Sequence, residues 1–273
     1  MEEKSLLQFR GLQPFWFSIS RVECVRDDAI NVHDFHVHPE CEIYINLSGD
    51  VSFAVENTIY PITPGSVIIT KPYEYHHCVY HSDASHKHIW ILFSVEQNEQ
   101  LFDLFFNRKA GTGNLLILAP EQLARVSAIC DQLLQDPISE FEKHYLFFRL
   151  IQYLYDAESP EEPDDHSPES LKLALNYMAQ HLQEPVTIQQ LAQTAHVSVN
   201  TLERHFAENL NASPSRYLRR KRLANAAKLL SRGSSVAEAC EQSGFPDYSN
   251  FIALFRQSYG ITPLQYRKRN YRG

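Results

Sequence analysis

The spacing of apolar residues changes character along the chain. Between residues 15 and 95 they come in short β-rich runs, Ser66-Val-Ile-Ile-Thr70 and His88-Ile-Trp-Ile-Leu-Phe93 among them. Turn signals such as Ser48-Gly-Asp50 and Thr63-Pro-Gly65 punctuate them. Several closely spaced strands predict a small barrel or sandwich. From Pro120 the period lengthens: Leu123, Val126, Ile129, Leu133 and Leu134 recur at helical spacing, and after Pro137 so do Phe147, Leu150, Ile151, Leu154 and Tyr155. Two amphipathic helices behind a β-domain predict a cover over that domain. Pairing with a second copy of the chain is compatible with that cover.

The pattern then stops. Residues 156–168, Asp156-Ala-Glu-Ser-Pro-Glu-Glu-Pro-Asp-Asp-His-Ser-Pro168, hold three prolines and six acids, and Ala157 is their one apolar residue. Such a stretch builds no core and is kept extended by like charge. It is expected to be an acidic linker between a domain at 1–155 and another at 169–273. Beyond it the chain reads as helical, with breaks at Glu184-Pro185, Ala212-Ser-Pro214, Arg232-Gly-Ser-Ser235, Gly244-Phe-Pro246 and Gly260-Ile-Thr-Pro263.

The second domain repeats itself. Ile188, Leu191 and Ala192 match Val236, Ala239 and Cys240 at an offset of 48, while Leu202, Phe206, Pro214 and Tyr217 match Phe251, Phe255, Pro263 and Tyr266 at 49. Each unit is a short helix, a tight turn (Ala195-His-Val-Ser198, Ser243-Gly-Phe-Pro246) and a second helix with apolar anchors four residues apart. The anchors turn one face inward and leave the other free, as a helix-turn-helix requires. Gly244 stands where the turn favours positive φ, and Ser198 and Asp247 can cap the second helices. The helix between the units, with its stripe of Leu218, Leu223, Ala227 and Leu230, is expected to act as a stiff spacer.

These residues resemble the AraC/XylS family of bacterial regulators. The resemblance is carried by Ile188-x-x-Leu191-Ala192, Val197-Ser198, Leu202-x-x-x-Phe206, Pro214-x-x-Tyr217, Arg222 and Ala226-x-x-Leu229-Leu230. In the second unit it is carried by Val236-x-x-Ala239, Gly244-Phe245, Tyr248-Ser249-x-Phe251-x-x-x-Phe255-Arg256 and Gly260-Ile-Thr-Pro263-x-x-Tyr266-Arg267. It implies that both second helices enter successive major grooves of double-stranded DNA. Base contacts would come from Asn200, Glu203 and Arg204, and from Tyr248, Ser249 and Ile252. Arg204 could donate twice to a guanine edge. Ala253 stands where an arginine is common, so the second unit is expected to favour phosphate positioning over sequence choice. Arg219, Arg220, Lys221, Arg256 and Lys268 are candidate phosphate contacts. The resemblance further implies a homodimer, with RNA polymerase as a possible further partner.

Charge supports this division. The whole chain carries −8, but residues 169–273 hold fourteen bases against seven acids, a net of +7, while residues 1–168 hold eleven against twenty-six, a net of −15.

Eight of the thirteen histidines lie between His33 and His88. His36-Val-His38-Pro-Glu-Cys-Glu42, followed by Gly49, resembles the first cupin motif, and Pro64-Gly65 with Pro72 and His76 resembles a degraded second one. In metal-binding cupins His36, His38, Glu42 and a histidine such as His76 would hold a divalent ion. The alternative is interior histidines lining a barrel that holds no metal, as in the front halves of AraC-type regulators, and this is the expectation taken here: no metal and no cofactor. A barrel mouth is the ordinary place for a small molecule. His36, His38, Glu42, Tyr44, Asn46, His76 and Trp90 would line it; Trp90 also fits plain core packing. By family resemblance the effector is a sugar, although these residue types equally admit a small acid or an aromatic compound.

The fold expected is therefore a multidomain α+β chain: a cupin-like β-barrel with two trailing helices, then an all-α domain of two helix-turn-helix units. The function expected is sequence-specific, effector-controlled transcription regulation. The competing reading is a metal-dependent cupin enzyme with an accessory helical domain; no Gly-x-Ser-x-Gly, Walker-type or dinucleotide motif offers other catalysis. Five scattered cysteines without a Cys-x-x-Cys pair, the lack of an apolar run near ~20 residues and an acidic start predict a cytoplasmic protein with no membrane partner.

Overall fold

In a computed structural model, residues 2–10, 15–24, 37–95, 99–135, 137–160 and 167–271 are described. The chain forms two compact units that divide between residues 165 and 166.

The first unit opens with eight strands: β1 (Glu2–Arg10), β2 (Phe15–Cys24), β3 (Cys41–Ser48), β4 (Val51–Val55), β5 (Thr58–Ile62), β6 (Ser66–Thr70), β7 (His76–Tyr80) and β8 (His86–Val95). A 3-10 turn and a one-turn helix, α1 (Asp103–Phe106), follow. Strand β9 (Leu115–Ile117) and helices α2 (Pro120–Leu133) and α3 (Glu140–Tyr155) complete the unit. One antiparallel sheet runs β1-β2-β8-β3-β6-β9 and a second runs β5-β4-β7.

Strand parity builds two cores from the larger sheet. Odd positions (Phe17, Ile19, Ile43, Ile45, Val67, Ile69, Ile89, Ile91, Phe93) face helices α2 and α3, where they meet Val126, Ile129, Leu133, Leu146, Phe147, Leu150, Ile151 and Leu154. Phe147 stacks on Phe17 with ring centroids 4.8 Å apart. Even positions (Val22, Cys24, Tyr44, Ile68) face the smaller sheet's Val51, Phe53, Val55, Tyr60, Ile62 and Tyr80 across a lumen. With both faces covered, β3 and β6 are buried almost throughout, which is why Ser66-Val-Ile-Ile-Thr70 reads as an unbroken apolar run. The trailing helices cover the sheet as expected, but Tyr155 does not join their buried face. It stays 44% exposed, its hydroxyl bonded to the Asp103 carboxylate and to Leu104 N–H.

The second unit is all helix: α4 (Glu169–Gln180), α5 (Ile188–Thr194), α6 (Val199–Leu210), α7 (Pro214–Ser231), α8 (Val236–Glu241), α9 (Tyr248–Tyr259) and α10 (Pro263–Asn270). The repeat becomes α5–turn–α6 and α8–turn–α9, joined by α7. Its core gathers Leu191, Leu202, Phe206, Leu218, Leu223, Ala227, Leu230, Phe251 and Phe255, each buried. None of the described helices is long and apolar enough to cross a membrane.

Candidate nucleic-acid interface and effector site

Each second helix starts on a side-chain cap. Ser198 Oγ accepts from the Thr201 N–H at 3.1 Å, and Asp247 Oδ1 from the Asn250 N–H at 2.6 Å. Helices α5 and α8 start on capping boxes, Thr187 with Gln190 and Ser235 with Glu238. The two turns solve one problem differently. Gly244 adopts φ +74° in the second, while the non-glycine His196 takes φ +56° in the first. Gly244 also has a packing reason: a Cβ there would collide with the Leu182 carbonyl oxygen.

The anchors Leu202, Phe206, Phe251 and Phe255 are fully buried, and the opposite faces are open. Asn200, Glu203 and Arg204 are exposed on α6, as are Tyr248 and Ser249 on α9, with Ile252 half-buried. Arg204 reaches Glu208 one turn on, Nε to Oε1 at 4.0 Å, with both side chains mostly in solvent. A pair this exposed is weak, so Arg204 is available for another acceptor. Arg219, Arg256 and Lys268 are exposed and Arg220 is half-buried.

Two bases are placed otherwise than a row of phosphate contacts would require. Lys221 is only 6% exposed, its ammonium 5.9 Å from the Tyr217 ring centre, because α7 is gripped on several sides and position 221 faces inward. Arg222 donates from Nε to Leu182 O at 2.9 Å and from Nη2 to Glu184 O at 2.5 Å. It ties the corner after α4 to the long helix.

In the first unit the cluster foreseen from the sequence converges. Glu42 Oε2 lies 3.1 Å from His38 Nε2 and 3.4 Å from His76 Nε2. The second ring nitrogens face backbone oxygens, His38 Nδ1 that of Glu40 at 3.1 Å and His76 Nδ1 that of Glu74 at 2.7 Å. Burial disfavours charge on His38, but hydrogen bonds to and charges on Glu40 and Glu42 outweigh it and raise its pKa to about 9. Burial likewise opposes the Glu42 carboxylate, and the two histidines overcome it, holding its pKa well below the usual range. The donor atoms of His38, Glu42 and His76 all lie within 4.8 Å of one another, a set that could hold a cation. With each Nδ1 turned to a carbonyl, Nε2 is the nitrogen left to face the carboxylate, so the donor set fits a divalent ion as well as shared protons. His36 lies outside the described residues.

Tyr44 and Trp90 are paired neighbours on the lumen face, Tyr44 buried and Trp90 half-buried against that core. His88, which the sequence did not single out, stacks on Tyr44 at 4.6 Å; its parity with Trp90 was the available signal. Asn46 Oδ1 and Nδ2, Ser20 Oγ and Thr70 Oγ1 are buried there without a hydrogen-bond partner among the described residues. Gly49 is held by the same wall: φ is +113° and a Cβ would overlap the His86 ring.

Comparison with known proteins decides the family. A model described as "Helix-turn-helix domain" matches residues 191–269, and one described as "AraC-like ligand binding domain" matches residues 22–151. The chain belongs to the AraC family of transcriptional regulators. It is a DNA-binding regulator with a ligand-binding domain. The probable transcriptional regulator LumQ of Photobacterium leiognathi is 25% identical over 243 residues, 85% of this chain and 91% of that protein. The transcriptional activator RhaS of Escherichia coli O139:H28 is 30% identical over 131 residues, 48% of this chain, and the match spans about half (47%) of RhaS. Among solved structures, ToxT of Vibrio cholerae O395 is 14% identical with a TM-score of 0.39, covering 93% of this chain and 98% of that one.

Proposed function

We propose that this regulator reads a specific DNA sequence through α6 and α9 and is controlled by a small uncharged molecule bound in the barrel. The observation that carries the DNA reading is the pair of capped helices whose anchors are buried while Asn200, Glu203, Arg204, Tyr248 and Ser249 stand in solvent. Residues 169–273 would form the DNA-binding domain and residues 1–155 the effector and dimerisation domain. The protein would work as a homodimer in the cytoplasm, on RNA polymerase as the final target. Selection of bound duplexes from a random library, followed by footprinting, tests the reading. A single recovered motif with protections in major grooves ~10 bp apart supports it; recovery of unrelated sequences overturns it.

The effector site proposed is His38, Glu42, Tyr44, His76 and Trp90, with His36 added from the sequence. Glu42 is held anionic beside a His38 whose pKa is raised to about 9, so the pair is balanced in charge and suits an uncharged, hydrogen-bonding ligand. Aromatic faces with orphaned amide and hydroxyl groups suit a polyhydroxylated ligand such as a sugar. A thermal-shift screen of sugars should give a hit that Glu42→Ala removes; hits confined to carboxylic acids would sink the sugar.

The convergence of His38, Glu42 and His76 favours one second reading, a metal-dependent cupin. There the three would be ligands, and a bound ion would polarise a substrate oxygen. Metal analysis of the purified protein separates the two.

A further inference from the structure

Among the described helices of the second unit, α4 alone starts without a side-chain cap. Its N-cap is Pro168, which has no side-chain acceptor. Thr187, Ser198, Ser213, Ser235, Asp247 and Thr262 each accept from an amide of the helix they begin. An uncapped first turn leaves its amides without intrahelical partners and frays unless something outside holds it. Here the hold comes from α6. Ser170, in that first turn, spends its hydroxyl elsewhere: Oγ lies 2.8 Å from Nδ1 of His205, a hydrogen bond across 35 positions of sequence.

His205 is half-buried on α6, beside the buried anchor Phe206 and next to the exposed Arg204. The anchors Leu202 and Phe206 hold one stripe of the helix, and a helix held along one stripe can rock about its own axis. A bond on the flank removes that freedom. The flank is itself braced, since Asn209 Nδ2 donates to the His205 carbonyl oxygen at 2.8 Å. Just past the far end of α4, Arg222 grips the Leu182 and Glu184 oxygens. Helix α4 is thus a strut, pinned to the rod α7 at one end and to α6 at the other. The repeat gives the contrast: Leu254 stands on α9 where His205 stands on α6, and its side chain can make no such bond.

We propose that Ser170 and His205 are positioning residues for base reading. Their bond sets the rotation of α6 about its anchors and so aims Asn200, Glu203 and Arg204 into the groove. The proposal rests on the DNA reading above, because it says how one of the two reading helices is aimed.

Affinity of the full chain, measured at one salt concentration on two duplexes, tests it. One is a selected site. In the other the base pairs opposite α6 are scrambled, that segment being the one whose scrambling abolishes the effect of Arg204→Ala. Ser170→Ala and His205→Ala should each weaken binding about tenfold on the selected site, the scale of one lost base contact, and less than about twofold on the scrambled one. The double variant should lose no more than either single one, because both remove the same bond. Both residues are half-buried, so neither substitution opens the core, and a purely structural loss would fall on both duplexes alike. Equal loss on both duplexes, additive losses, or no loss at all overturns the proposal and leaves the DNA reading standing. A wild type that does not distinguish the two duplexes overturns both.

Discussion

The guanidinium of Arg222 and the carbonyl of Leu182 are joined across forty positions of sequence, Nε to O at 2.9 Å. The same carbonyl is the atom that a Cβ at residue 244 would strike. One backbone oxygen therefore gathers the corner after α4, the middle of α7 and the turn of the second helix-turn-helix unit. The relative setting of α6 and α9 depends on that junction, because α7 is the rod that joins them.

Gly244→Ala should be costly on two counts. Positive φ disfavours an L-residue by ~1–2 kcal/mol, and the methyl must also displace backbone. We expect a loss above ~2 kcal/mol for the DNA-binding unit, read by urea unfolding of the full chain through helical circular dichroism. A loss below ~0.5 kcal/mol would show that the turn relaxes freely. In the first turn His196→Gly should go the other way, gaining up to ~1 kcal/mol by relieving a left-handed non-glycine residue.

Arg222 carries a charge but is predicted to make no phosphate contact. Arg222→Ala should lower stability, since two carbonyls lose a shared donor. It should leave the slope of log affinity against log salt unchanged, whereas Arg219→Ala should reduce that slope by about one counter-ion's worth. Equal reductions would place Arg222 on the phosphates.

Glu74 and Arg108 form a buried bidentate pair, with Nη1 to Oε1 at 2.8 Å and Nη2 to Oε2 at 2.6 Å; Gly111 and Lys71 N–H groups complete the carboxylate's shell. Burial opposes the charged form of Glu74, but Arg108 and the two amides outweigh it and lower its pKa. The stabilisation is present above the ordinary glutamate value near 4.5 and is lost as pH falls through the depressed folded value. Glu74→Gln strands a buried guanidinium and should cost about 3–5 kcal/mol at neutral pH. The variant should also lose less further stability than wild type on acidification. Parallel acid profiles would contradict the assignment.

What could be read from the sequence was what is local or periodic. The two helix-turn-helix units were legible because caps, anchors and the Gly244 turn lie within a few residues of one another. His38, Glu42 and His76 were legible as a set through the resemblance to the cupin motifs; only Glu42 and His76 lie on strands, and His38 stands just ahead of β3. The Glu74–Arg108 pair was not legible, since no period connects residues 34 apart that lie in two separate irregular segments, one between β6 and β7 and one after α1. Lys221 and Tyr155 were misread for a related reason. In a helix touched on several sides, position on the wheel does not say which side is solvent, and Tyr155 sits on the apolar period yet satisfies its hydroxyl with Asp103 at the surface.

The central claim is that α6 carries a reading face, and Arg204 is its sharpest point. With a selected duplex and a scrambled one at the same fixed salt, binding of wild type and Arg204→Ala should be measured by fluorescence anisotropy. Loss of a bidentate guanine contact, worth ~1–3 kcal/mol, predicts a fall of roughly 5- to 150-fold on the selected site and little change on the scrambled one. Equal weakening on both duplexes, or no weakening on either, would contradict the account.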